Sequence, residues 1–436
     1  MRLWKAAAYA DGLTRAFPFL ALTTIGFMAG CSSHSSGSNH LTTSSPIQHV
    51  VVIMQENRTF DNLFYGFPGA DSAQTGSNMG QAVPLTSVPL ATPYDLDHAH
   101  TAWWTAWDNG KMDGFGVAQV APNPPLYAYS YVPKSELQPY WTLASQYTLG
   151  DRMFQSNSGP SFVAHQYMIA GQSGDSDENP NEGLWGCDAP PGSTVALIGP
   201  NGTDLPGVYP CFDYQTMADL LDAEGITWRY YAPATTVDPG PAWSAYEAIH
   251  HIFSGSDWSK NVISPQTQVL TDIANGQLAT VTWIVPDYAH SDHAGVFGSN
   301  EGPSWVASIV NAIGASSFWN STAIFISWDD WGGWYDHVPP QEIDNMGPGF
   351  RVPLIAVSPY AKKGYVSHQV YETASLLTYM EKNFGLPNLG TRDANANDLS
   401  DCFDYSQSPA KYAPIPTSVT VDKLLHEKNS GPPDDD

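Results

Sequence analysis

Basic side chains are scarce in this sequence. Its 436 residues hold 17 Lys and Arg against 43 Asp and Glu, a formal net charge of −26. A nucleic-acid backbone needs a basic face, and an anionic lipid surface attracts one, so both partners are disfavoured. Cysteine is scarce too. The chain has four, none in a Cys-x-x-Cys spacing, which argues against a thiolate metal site. No internal repeat is visible, and the one long apolar stretch, near the start, is short for a bilayer-spanning helix.

The apolar content of 42% supports a real core, and the length allows one large α/β domain or two ordinary ones. Arg2, Lys5 and Arg15 precede the apolar stretch 16–30. The run Phe27-Met28-Ala29-Gly30-Cys31 then looks like a bacterial lipoprotein cleavage site with Cys31 as the acylated residue. An ordinary signal peptide or an uncleaved anchor are the alternatives, and each exports the chain. Residues 1–31 thus read as signal peptide, 32–47 as a Ser/Thr/Gly-rich tether, 48–420 as a single domain and 421–436 as an acidic tail. The expected location is the periplasm or the cell surface, with the membrane as a partner through the lipid on Cys31. Export permits disulfides. Cys187 and Cys211 flank a Pro/Gly-rich loop and are paired, which leaves Cys402 over.

From His49 onward, strand and helix patterns alternate. Short β-branched runs at 49–54, 227–231, 279–285, 322–328 and 352–357 read as strands. Apolar stripes predict helices over 216–223, 304–315 and 372–384, the last closed by Gly385. Such alternation implies an α/β fold with a mostly parallel central sheet and helices on both faces. The Pro/Gly-rich stretches become long active-site loops.

Two strand runs end in acids. Gln55-Glu56-Asn57-Arg58-Thr59-Phe60-Asp61 follows the first, and Trp328-Asp329-Asp330-Trp331-Gly332-Gly333-Trp334-Tyr335-Asp336-His337 follows the fourth. Ligands bind at the carboxyl ends of parallel strands. Glu56, Asn57, Asp329 and Asp330 offer only oxygen donors, which suits one hard divalent cation, Ca²⁺ or Mg²⁺ first. A third segment, Asn157 to Gln166, places Ser161 at an expected helix start. There it is either a plain N-cap or a nucleophile beside amides that favour a phosphate. His98, His293 and His337 lie near these motifs and can contact phosphate or protonate a leaving group. Trp103, Trp104, Trp107, Trp331 and Trp334 either pack together or form a cage for a choline head group.

These segments resemble the bacterial phosphoesterase family that contains phospholipases C and the respiratory-burst-inhibiting acid phosphatase. The matching pieces are VVVIMQENRTFD (50–61), GKMDGF (110–115), GPSFVAHQYMIAG (159–171), Ser291 to His293, WDDWGGWYDH (328–337) and RVPLIAVSPY (351–360). The resemblance implies an alkaline-phosphatase-like fold, metal ligands at Glu56, Asn57, Asp329 and Asp330, and Ser161 as nucleophile through a phosphoseryl intermediate. His293 and His337 would be acid/base groups, while His98 and His165 would contact the substrate, a phosphate ester or phospholipid. Phospholipase-type members often carry Thr at the nucleophile position and a twin-arginine signal. Ser161 and the plain leader favour phosphatase-like specificity. The alternatives are a sulfatase-like hydrolase, for which Phe162 is the wrong residue, and a non-catalytic Ca²⁺-binding surface lipoprotein.

Overall fold

A strand buried on both faces is a continuous apolar run, and every residue of Thr322–Trp328 is buried. The computed structural model describes residues 45–426 apart from 120–121, 182–184, 201, 234–242, 297 and 342–343. The leader, Cys31, most of the tether and residues 427–436 lie outside the described residues.

Nine strands form the central sheet: β1 (His49–Gln55), β2 (Thr148–Phe154), β3 (Trp228–Tyr231), β4 (Val262–Ile263), β5 (Val281–Ile284), β6 (Thr322–Trp328), β7 (Arg351–Val357), β8 (Tyr365–Ser367) and β9 (Tyr371–Glu372). Their order is β4-β3-β5-β1-β6-β7-β2-β8, with β9 also on β2. All neighbours run parallel except that β7 opposes both β6 and β2. The expected α/β architecture with a mostly parallel sheet is therefore present.

The described helices that matter here are α1 (His100–Trp107), α2 (Gln138–Gln146), α3 (Ser161–Ala170), α4 (Met217–Ala223), α5 (Gln268–Ala274), α6 (Gly302–Gly314), α7 (Ser375–Phe384) and α8 (Val421–His426). They pack in two groups, α2 with α6 and α5, and α3 with α7 and α4. With the strand residues buried on either side, both faces of the sheet are covered. The helix expected over 372–384 begins three residues late, because Tyr371 and Glu372 pair with β2 instead. Gly385 ends it in the left-handed conformation, as expected. Residues 421–426 form a helix, and Leu424 is buried.

A second, smaller apolar cluster gathers Trp103, Phe115, Trp331, Trp334, Tyr335 and Phe350. Trp331 meets Phe350 edge-on at 4.9 Å, and Trp103 stacks on Trp107 and Phe350. Trp103, Trp331 and Trp334 are fully buried in this cluster, so packing, not a head-group cage, is their role. The Cys187–Cys211 disulfide is formed, and Cys402 is a buried free thiol. Among the described residues, no helix is long and apolar enough to cross a membrane.

Candidate active site

Strand register brings the two acidic segments together. Gln55 and Trp328 are paired neighbours on β1 and β6, so Glu56 and Asp329 leave the sheet side by side. The Asp329 amide donates to the Gln55 carbonyl at 3.0 Å, extending the ladder by one step. Strand β2 reaches the same edge and feeds a loop that starts α3 at Ser161, with Pro160 at the cap.

There the Ser161 hydroxyl lies 3.2 Å from both Glu56 Oε2 and Asp330 Oδ2, its single proton shared between two carboxylates. His165, one turn along α3, holds Glu56 Oε1 through Nε2 at 2.8 Å and stands 3.9 Å from Asp329 Oδ2. Ligand atoms of Glu56, His165 and Asp329 all lie within 4.8 Å of one another. Asp330 is fixed by the Gly332 amide, which donates to Oδ1 at 2.7 Å. Gly332 has φ +56°, and a Cβ there would sit 2.2 Å from the Asn57 carbonyl, so this turn requires glycine.

These residues are 0–1% exposed. Burial, then the charges of Asp330 and Glu56, push the Asp329 carboxyl well above its ordinary pKa. The nearby guanidinium of Arg58 is engaged elsewhere, by the Asp292 and Leu90 carbonyls and the Trp334 ring. Three carboxylates buried at one point repel one another, so this set of hard oxygen donors fits a bound divalent ion.

Asn57 links the acidic group to a histidine pair. Its amide donates to His98 Nε2 at 3.1 Å, while His98 Nδ1 donates to the Leu96 carbonyl. His98 and His293 meet edge to face with centroids 5.9 Å apart. His293 is steadied by the Tyr288 hydroxyl, 3.0 Å from Nδ1.

His337 does not join this group. Its ring is held by Asp61 at 2.6 Å and Asp71 at 3.1 Å, in a separate buried cluster with Asp336 and Arg351. Burial lowers its pKa, but the hydrogen bond and charge of Asp61, with Asp336, override that and raise it to about 9. The ring is thus held by two carboxylates, and neither of these partners is one of the groups around Ser161. At the start of α3 the Phe162 amide donates to Asn179 Oδ1 at 3.0 Å.

Sequence reasoning missed Arg351, Asp61, Tyr288 and Asn179. The first two lie inside quoted motifs, where the Asp of ENRTFD and the Arg of RVPLI were the available signals.

A family model described as the Phosphoesterase family matches residues 47–387. The chain belongs to that family. Curated relatives include a haemolytic phospholipase C of Pseudomonas aeruginosa, 26% identical across 86% of this chain and 58% of that protein. Phospholipase C B of Mycobacterium tuberculosis is 26% identical, across 85% of this chain and 79% of that protein. The chain thus spans little more than half of the first relative. Among solved structures, murine ectonucleotide pyrophosphatase/phosphodiesterase 5 aligns over 82% of this chain at 8% identity and a TM-score of 0.42.

Proposed function

We propose that this phosphoesterase-family chain is a metal-dependent phosphoric-ester hydrolase with Ser161 as nucleophile. The observation that carries the reading is the Ser161 hydroxyl bonded to both Glu56 and Asp330 inside an enclosed nest of carboxylates. Glu56, Asp329 and Asp330 would hold one divalent cation, Ca²⁺ or Mg²⁺ by donor type, which supplies Lewis-acid stabilisation of the serine oxygen and the phosphoryl charge. Asn57 would be the fourth ligand through Oδ1, while its Nδ2 positions His98. His165 fixes the orientation of Glu56.

In the first step the Ser161 proton passes to a carboxylate that already accepts it. Oγ then bonds to phosphorus as the ester oxygen departs. His293, held by Tyr288, donates the proton that the leaving oxygen needs, and His98 contacts the phosphoryl group. Water then attacks the phosphoseryl group, giving its proton to His293 and restoring the Ser161 hydroxyl. The relatives' names make phospholipid diesters one substrate class, and Ser161 makes phosphomonoesters the other. The chain acts outside the cytoplasm, tethered through Cys31, a placement with which the Cys187–Cys211 disulfide agrees.

Ser161→Ala should keep metal content and fold while kcat for a chromogenic phosphate ester falls on the order of 10⁴-fold. Acid quenching with labelled substrate should leave phosphate on the peptide containing Ser161. Near-normal turnover in the variant would overturn the assignment and point to water as the attacking group.

A further inference from the structure

His100 is a buried imidazole that the mechanism above does not use. It opens α1, two residues after His98, and its Nδ1 lies 3.0 Å from the Ser158 hydroxyl. Ser158 stands three residues before Ser161, in the loop that starts α3. His98 reaches Asn57 and His100 reaches Ser158, so residues 98–100 brace two loops of the candidate site at once.

The protons of the His100 contacts are assigned from both ends. The Trp104 indole nitrogen can only donate, and it lies 2.9 Å from His100 Nε2, so Nε2 accepts. The Ser158 hydroxyl gives its one proton to the Met346 carbonyl, 2.9 Å away, so its oxygen accepts from His100. Both ends demand the same species, a neutral ring protonated on Nδ1. Burial favours that species by lowering the pKa to about 4, against the Ser158 contact and the charge of Asp204. Two backbone amides fix the frame. That of His100 donates to Glu178 Oε1 at 3.1 Å, and that of Ser158 joins its own hydroxyl on the Met346 carbonyl. A chain of directed hydrogen bonds thus runs from α1 to the turn ahead of Ser161.

We propose that His100 is a positioning residue: as the Nδ1–H tautomer it holds the turn from Ser158 to Ser161 in register with His98. This role presupposes Ser161 as nucleophile. Without the bond, Ser161 Oγ drifts from its line of attack on phosphorus, which slows the chemical step more than it weakens substrate binding.

The test uses the full chain and a labelled phosphate ester, with acid quenching to follow label onto the Ser161 peptide. In His100→Ala the labelling rate at saturating substrate should fall roughly 10–100-fold, while the half-saturating concentration and the metal content stay close to native. His100→Asn places an amide N–H near the position of Nδ1 and should recover most of that loss. His100→Gln, whose amide falls nearer Nε2, should not. Ser158→Ala should match His100→Ala, and the double change should be no worse than either, the mark of a shared interaction. In the chain without substitutions, the His100 nitrogen-15 resonances, assigned by their absence from His100→Asn, should show the proton on Nδ1 at neutral pH. An Nε2–H tautomer, undiminished labelling in His100→Ala, or equal rates in the Asn and Gln variants would overturn the proposal. Absence of label from Ser161 in the native chain would instead remove the nucleophile on which it rests, a result distinct from all of these.

Discussion

Gly332 shows how one residue sets the chemistry of this site. Its amide holds Asp330, and its missing Cβ lets the Asn57 carbonyl approach. Gly332→Ala should therefore cost well above the usual ~1 kcal/mol of a misplaced alanine at positive φ. Because the strain falls between Asn57 and Asp330, metal affinity measured by titration should drop more steeply than thermal stability. His337 offers a different test. Its folded pKa of about 9 lies above the unfolded value of 6.5, so its contribution to stability is complete below pH 6.5 and disappears as pH rises through about 9. His337→Gln should thus lower the melting temperature at pH 6 and lose less than the native chain between pH 6.5 and 9. Equal slopes for the two proteins would show that Asp61 does not hold a charged ring.

At the scale of elements, much of the site was legible because two apolar runs each ended abruptly in acids. A parallel pairing of β1 with β6 then necessarily brings Glu56 beside Asp329. Ser161 was legible for a similar reason, since Pro160 announces a helix start. The Arg351 cluster was not legible. It assembles because β7 runs against its neighbours, so that its first residue, not its last, arrives opposite Phe154 at the site edge. No local pattern announces that reversal, and so none places His337 in this cluster. The tryptophans misled in the opposite direction. A motif rich in Trp suggests recognition, yet Trp331 and Trp334 close a core with Phe115 and Phe350. Trp331→Ala should cost about 3–5 kcal/mol in denaturant unfolding, as for other large core aromatics, and should not selectively remove activity on choline esters. A choline-specific loss at unchanged stability would restore the cage.

At the scale of the whole molecule, the Cys187–Cys211 bridge closes a loop of sequence separation 24. Chain-entropy reasoning puts its contribution at roughly 3 kcal/mol, to be read as a shift of the urea midpoint on reduction. The enclosure of the catalytic centre has a kinetic consequence. Glu56, Asp329 and Asp330 are 0–1% exposed among the described residues, so a cation held between them would lie beneath the surface. Its release is expected to be gated by a transient opening of the chain. Inactivation by a chelator should then follow a rate that levels off as chelator concentration rises, because the protein's own opening becomes the slow step. The plateau rate should climb in mild urea and match the exchange of the slowest amides around Ser161. A rate that keeps rising in proportion to chelator would mean that solvent reaches the ion directly.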